Sequence, residues 1–89
     1  MDFGARKGGQ PLTGLPRRRQ AVVRAVADAK PNDPIATRLR DLGFVAGEVL
    51  EVVARAPFGG DPLVVEIGAT RFALRVREAA RILVDPLPA

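Results

Sequence analysis

Two runs, Leu63–Ile67 and Thr70–Leu74, alternate in polarity and are separated only by Gly68-Ala69. A two-residue connection with Gly first is what a type II′ hairpin prefers, because Gly adopts positive φ without a Cβ clash. The spacing also fixes the register. Val65 falls opposite Phe72 and Leu63 opposite Leu74 on one face, while Glu66 faces Arg71 on the other. A slip of one residue would turn every apolar side chain outward, so the register is set by the core pairs and again by the opposite charges. The chain is thereby committed to antiparallel β structure.

The flanking sequence fits around that hairpin. From Glu48 onward Leu50, Val52 and Ala54 form an apolar face, against a mixed face of Val49, Glu51, Val53 and Arg55. Gln20–Ala27 is a further strand rich in β-branched Val22, Val23 and Val26, whose broken alternation predicts a bulge. A helix is expected over Pro34–Leu42. Asp33 suits the N-cap, Pro34 the first helical position and Gly43 the left-handed stop. Ile35, Leu39 and Leu42 recur at i, i+4 and i+7 as one stripe that must dock on a sheet, since a helix this short does not stand alone. Arg75–Arg81 holds a helical turn with Val76 and Ala80 on one side. Ile82-Leu83-Val84 then forms a last strand before Pro86 and Pro88.

With 89 residues there is room for one modest core, burying roughly 60–65% of the extended surface. Residues 1–11, with Gly4, Gly8, Gly9 and Pro11, are expected to be a flexible N-terminal segment, and 12–86 the folded domain, its entry held by Leu12 and Leu15. About five short strands, one docked short helix and a C-terminal helical turn indicate a mainly β fold, a small SH3-like barrel. Closing the sheet protects Val-rich edges.

The chemistry available is narrow. There is no Cys, His, Trp or Tyr, so thiolate catalysis, zinc-finger chemistry and the usual neutral-pH base are all excluded, and the chain reads as no enzyme. Its carboxylates show no metal-ligand spacing, and no cofactor or metal site is expected. Gly59-Gly60 lacks the following Lys and helix start that a phosphate loop requires. No segment is long and apolar enough for membrane insertion, which points to a cytoplasmic protein. Fourteen Lys and Arg against ten Asp and Glu give a net charge of +4. That balance admits an alternative function, a basic SH3-like barrel binding RNA or another nucleic acid. Few, scattered aromatics and acids alternating with the arginines weigh against it, so no nucleic-acid partner is expected.

Three stretches carry a family resemblance: Leu39-Arg40-Asp41-Leu42-Gly43-Phe44-Val45-Ala46-Gly47, Ala56-Pro57-Phe58-Gly59-Gly60-Asp61-Pro62, and Ala73-Leu74-Arg75 with Glu78-Ala79. In order and spacing they resemble the FeoA family, over roughly residues 13–85. Two departures stand out: Ala46 replaces the usual Pro, and one extra Gly, Gly59 or Gly60, lengthens the loop. The resemblance implies an SH3-like cytoplasmic accessory protein or regulator of bacterial ferrous iron transport. Its partner would be the membrane ferrous iron permease, through the permease's cytosolic G-protein domain or an adjoining region. A second resemblance, to the SH3-like C-terminal domain of iron-dependent repressors, is disfavoured because DNA-binding helices are missing from the chain.

The residues that would meet a partner are Phe44, Pro57, Phe58, Gly59, Gly60 and Asp61. Phe58 sits in a Gly- and Pro-rich loop with nothing obvious to pack on, and a large apolar group on a loop is what a binding surface needs. Phe44, just past the helix stop, reads either as a lid on the barrel or as a contact residue. Arg17-Arg18-Arg19 reads as a solvated run, or as a contact for acidic headgroups or an acidic partner face.

Overall fold

The computed structural model describes residues 9–88. Its elements are β1 (Gln10–Pro11), a 3-10 turn (Leu12–Gly14), β2 (Gln20–Val26), α1 (Pro34–Leu42), β3 (Val49–Arg55), β4 (Leu63–Ile67), β5 (Thr70–Leu74), α2 (Val76–Ala79) and β6 (Ile82–Pro86). The strands form one antiparallel sheet in the order β1-β6-β2-β3-β4-β5; among the described residues its end strands β1 and β5 are not paired with each other, so the expected edge closure is not made. There are thus six strands, one more than the expected five. The addition is β1, whose Gln10 and Pro11 pair with Val84 and Leu83 although the sequence reading assigned them to the flexible segment. Most of that segment lies outside the described residues.

The hairpin has the register its turn dictates: Leu63 pairs with Leu74, Val65 with Phe72 and Glu66 with Arg71. Gly68 takes φ of 61° and Ala69 stays negative, as a type II′ turn requires. The broken alternation of β2 is resolved by a bulge between Val23 and Ala25. It lets Ala21, Val23 and Val26 all face the core while Arg24 and Ala25 both face solvent. A similar shift in β3 falls between Val52 and Ala54. Leu12, Leu15, Leu50, Val52, Leu63, Val65, Ile82 and Val84 complete a single core with α1 packed on it.

Helix α1 spans the expected residues, but its buried face is rotated. Ala36 and Leu39 are buried, Ile35 is half-buried, and Leu42, expected in the core, is 36% exposed. The reason is the helix end. Gly43 lies at φ 115°, its N–H donating to Arg40 O at 3.1 Å while the Phe44 N–H donates to Leu39 O at 3.1 Å. These are the two bonds of a Schellman motif, which brings the residue after the left-handed Gly onto the third residue from the helix end. Phe44 therefore takes the core position that Leu42 would have filled. In α2 the packed pair is Val76 with Ala79, and Ala80, expected on that side, is exposed. Glu78 accepts the Arg75 N–H at 2.8 Å and caps this single turn.

Asp33 does more than cap α1. Its carboxylate accepts from Ile35 N at 3.1 Å, from Ala29 N at 2.8 Å and from Arg81 Nε at 2.6 Å, and it is buried. The Arg81 guanidinium, then the Ala29 amide, hold the carboxyl well below the usual carboxylate range, against the opposing effect of burial. This pair fastens the start of α1 to the residue that leads into β6.

Candidate functional site

The loop from Ala56 to Pro62 joins β3 to β4, and its base is fixed from both sides. Ala56 N donates to Pro62 O at 2.9 Å. Asp61 Oδ1 accepts from Val76 N at 3.2 Å and lies 3.7 Å from Arg75 Nη1, which ties the loop to the start of α2. Gly60 rests on the aliphatic part of Arg55, whose guanidinium donates to Leu15 O at 2.7 Å and Thr13 O at 3.2 Å.

Above this base Phe58, Gly59 and Gly60 take φ of 61°, 107° and 74°. Gly tolerates that region, whereas a residue with a Cβ pays roughly 1–2 kcal/mol to enter it. The strained residue is Phe58, and its side chain is 101% exposed. Three successive left-handed residues turn the tip away from the barrel and hold an aromatic ring in water. Pro57 and Gly59 are exposed beside it, Gly60 is half-buried, and Asp61 stays exposed while serving as the anchor. Five of the six expected contact residues therefore lie on one short surface segment.

Phe44 does not join them. It is completely buried, its ring 5.5 Å from that of Phe72 at 56° between planes, so the lid reading holds and the contact reading fails. The exposed apolar side chains flanking it in sequence are Leu42 and Val45, the latter 45% exposed. The sequence puts Leu42 in the core stripe, keeps the Leu42-Gly43-Phe44 turn as a second candidate surface and does not single out Val45. The signal for the exchange is the Gly-Phe step after the helix, which predicts that Phe44 replaces Leu42 inside.

The arginine run divides. Arg17 and Arg18 are exposed, with Arg18 at φ 72°, its N–H donating to Val52 O at 2.7 Å and its Nε 3.9 Å from Glu51. Arg19 instead donates from Nε to Leu87 O at 2.7 Å and secures the chain after β6. Among the described residues no helix is long and apolar enough to cross a membrane, and no three His, Cys, Asp or Glu side chains form a metal-holding group.

Solved structures share this architecture. The FeoA of Stenotrophomonas maltophilia, crystallised with zinc and described as a prokaryotic SH3 domain protein, is 53% identical with a TM-score of 0.81, covering 86% of this chain and 91% of that one. The FeoA of Chlorobium tepidum is 37% identical with a TM-score of 0.76, over 89% and 71% of the two chains. A manganese-dependent transcriptional repressor, at 23% identity and a TM-score of 0.73 over 88% of this chain and 41% of its own, shares the fold alone. No match was found among curated proteins. The family model of the FeoA domain matches residues 10–86, from the first residue of β1 to the last of β6, and the chain belongs to the FeoA family.

Proposed function

We propose that this chain is a non-enzymatic cytoplasmic accessory protein of bacterial ferrous iron uptake that works by docking on the membrane ferrous iron permease, at its cytosolic G-protein domain or an adjoining region. Family membership supplies the process; the names of its relatives tie it to ferrous iron transport. The observation that carries the docking site is Phe58: fully exposed, conformationally strained, and presented by a loop whose base is anchored on both sides. Strain held at an exposed aromatic has no packing benefit in the isolated domain, and strained residues cluster at ligand clamps. A ring in solvent that becomes buried at an interface centre can carry about 2 kcal/mol or more, on the order of thirtyfold in affinity.

Co-purification with the permease from native membranes tests this directly, with and without guanine nucleotide. Phe58→Ala should leave the melting temperature within about 2 °C of wild type, because the side chain makes no core contact. The same change should weaken co-purification on the order of thirtyfold. Retention of full binding by a folded Phe58→Ala protein would remove the loop from the interface.

A further inference from the structure

The sheet ends at β5, and among the described residues that end is unpaired. In a two-residue hairpin the residues flanking the turn form a hydrogen-bonded pair, so Thr70, Phe72 and Leu74 turn their N–H and C=O groups toward β4. Arg71 and Ala73 turn theirs the other way, to the open side. Both residues are exposed, and neither backbone is among the loop and cap hydrogen bonds. Beside this edge runs a groove against α1, walled by Ile35 and Leu42 and floored by Phe72. It continues past Leu42 toward Val45 and the Gly68 turn as an open depression of about 310 Å³.

Two features specify what would fill the groove. The free N–H and C=O groups of Arg71 and Ala73 ask for extended backbone, since only a strand offers both at matching spacing. The charges along the edge are lopsided in exposure. Arg38 is 72% exposed but its partner Glu78 only 18%, Arg71 65% against 37% for Glu66, and Arg75 62% against 44% for Asp61. In each pair the arginine is the more exposed side chain, so an arriving chain meets a rim that is more positive than negative.

We propose that β5 is a strand-addition site for an extended acidic segment of a protein partner. The segment pairs with Arg71 and Ala73, inserts an apolar side chain between Leu42 and Phe72, and sets its carboxylates toward Arg71 and Arg75. The added strand alternates apolar and acidic residues, because one side of the sheet there is the groove and the other the arginine face. The site is distinct from the Phe58 tip and does not depend on the reading given above for that loop.

The test uses the full chain and a synthetic eight-residue peptide of alternating Glu and Val, followed by amide NMR. The expected result is saturable binding with shifts concentrated at Arg71, Ala73 and Leu42, and slowed hydrogen exchange of the Arg71 and Ala73 amides. Backbone N-methylation of the peptide on its β5-facing amides should weaken binding at least tenfold, and a Lys-Val peptide should bind at least tenfold more weakly. Leu42→Asp, at a position already exposed, should lose the binding without loss of fold. Ala73→Pro removes an edge donor while sparing the β4 ladder, and should do the same. Absence of saturable binding, equal binding by the N-methylated or Lys-Val peptide, or shifts centred on Phe58 would each overturn the proposal.

Discussion

Replacing Phe44 by Ala is the sharpest test of how this domain is held together. The ring is wholly buried, so its removal forfeits both the transfer free energy and the packing around the space it leaves. Phe→Ala changes in cores cost about 3–5 kcal/mol. The tilted contact with Phe72, centroids 5.5 Å apart, places this site toward the upper part of that range, since such pairs add about 0.5–1.5 kcal/mol. The ring also closes the Schellman motif against Leu39, so its loss loosens the end of α1. Against this, a chain of 89 residues has a total stability of about 4–13 kcal/mol. With 1 kcal/mol worth about 4–8 °C in a domain of this size, the melting temperature should fall by roughly 15–40 °C. Far-UV circular dichroism during heating or urea titration reads this out, because without Trp or Tyr fluorescence is uninformative. A Phe44→Ala protein melting within about 3 °C of wild type would refute the assignment of Phe44 to the core and leave it free to be the surface residue its position suggests.

Two further outcomes follow from named residues. Asp33→Asn should flatten the acid limb of the stability curve: the folded carboxyl is depressed, so its stabilisation is complete above the unfolded pKa of about 4 and is lost as pH falls below it. Urea midpoints at pH 7 and pH 3 should converge more for the Asn variant than for wild type, and equal pH slopes would deny the Asp33–Arg81 contact its role. Gly43→Ala should destabilise by about 1 kcal/mol, a loss of roughly 4–8 °C, because a Cβ meets no neighbour there yet φ is 115° and an L residue is strained. A neutral Gly43→Ala would show that the helix end can relax out of the left-handed conformation.

What could be read from the sequence was local. Gly68-Ala69 fixes the hairpin register, and Asp33, Pro34 and Gly43 fix the bounds of α1, because each acts through the backbone within a few residues. What escaped depends on partners far along the chain or on a choice between neighbours. Asp33 looked like a cap alone because Arg81 lies 48 residues away. Gln10 and Pro11 gain their place only by lying against Leu83 and Val84. Leu42 was assigned to the core by its periodicity, and the turn after it gave that place to Phe44. In the β3–β4 loop, Phe58 was legible by elimination, since no periodic element claims it. Its left-handed backbone was not, because composition does not reveal φ.

The last strand of the chain is not the last strand of the sheet. β6 lies between β1 and β2, joining the two earliest segments, and its pairs with β2 run from Val26 with Ile82 to Ala21 with Pro86. The β3-β4-β5 meander, by contrast, is built from neighbours in sequence and can form as soon as it is made. On the ribosome, then, the N-terminal third emerges first and must wait, its Val-rich β2 lacking one flank until residues 82–86 leave the exit tunnel. A ribosome that stops short of Ile82 leaves not a slightly shortened protein but one missing an interior strand, with an open edge on either side of the gap.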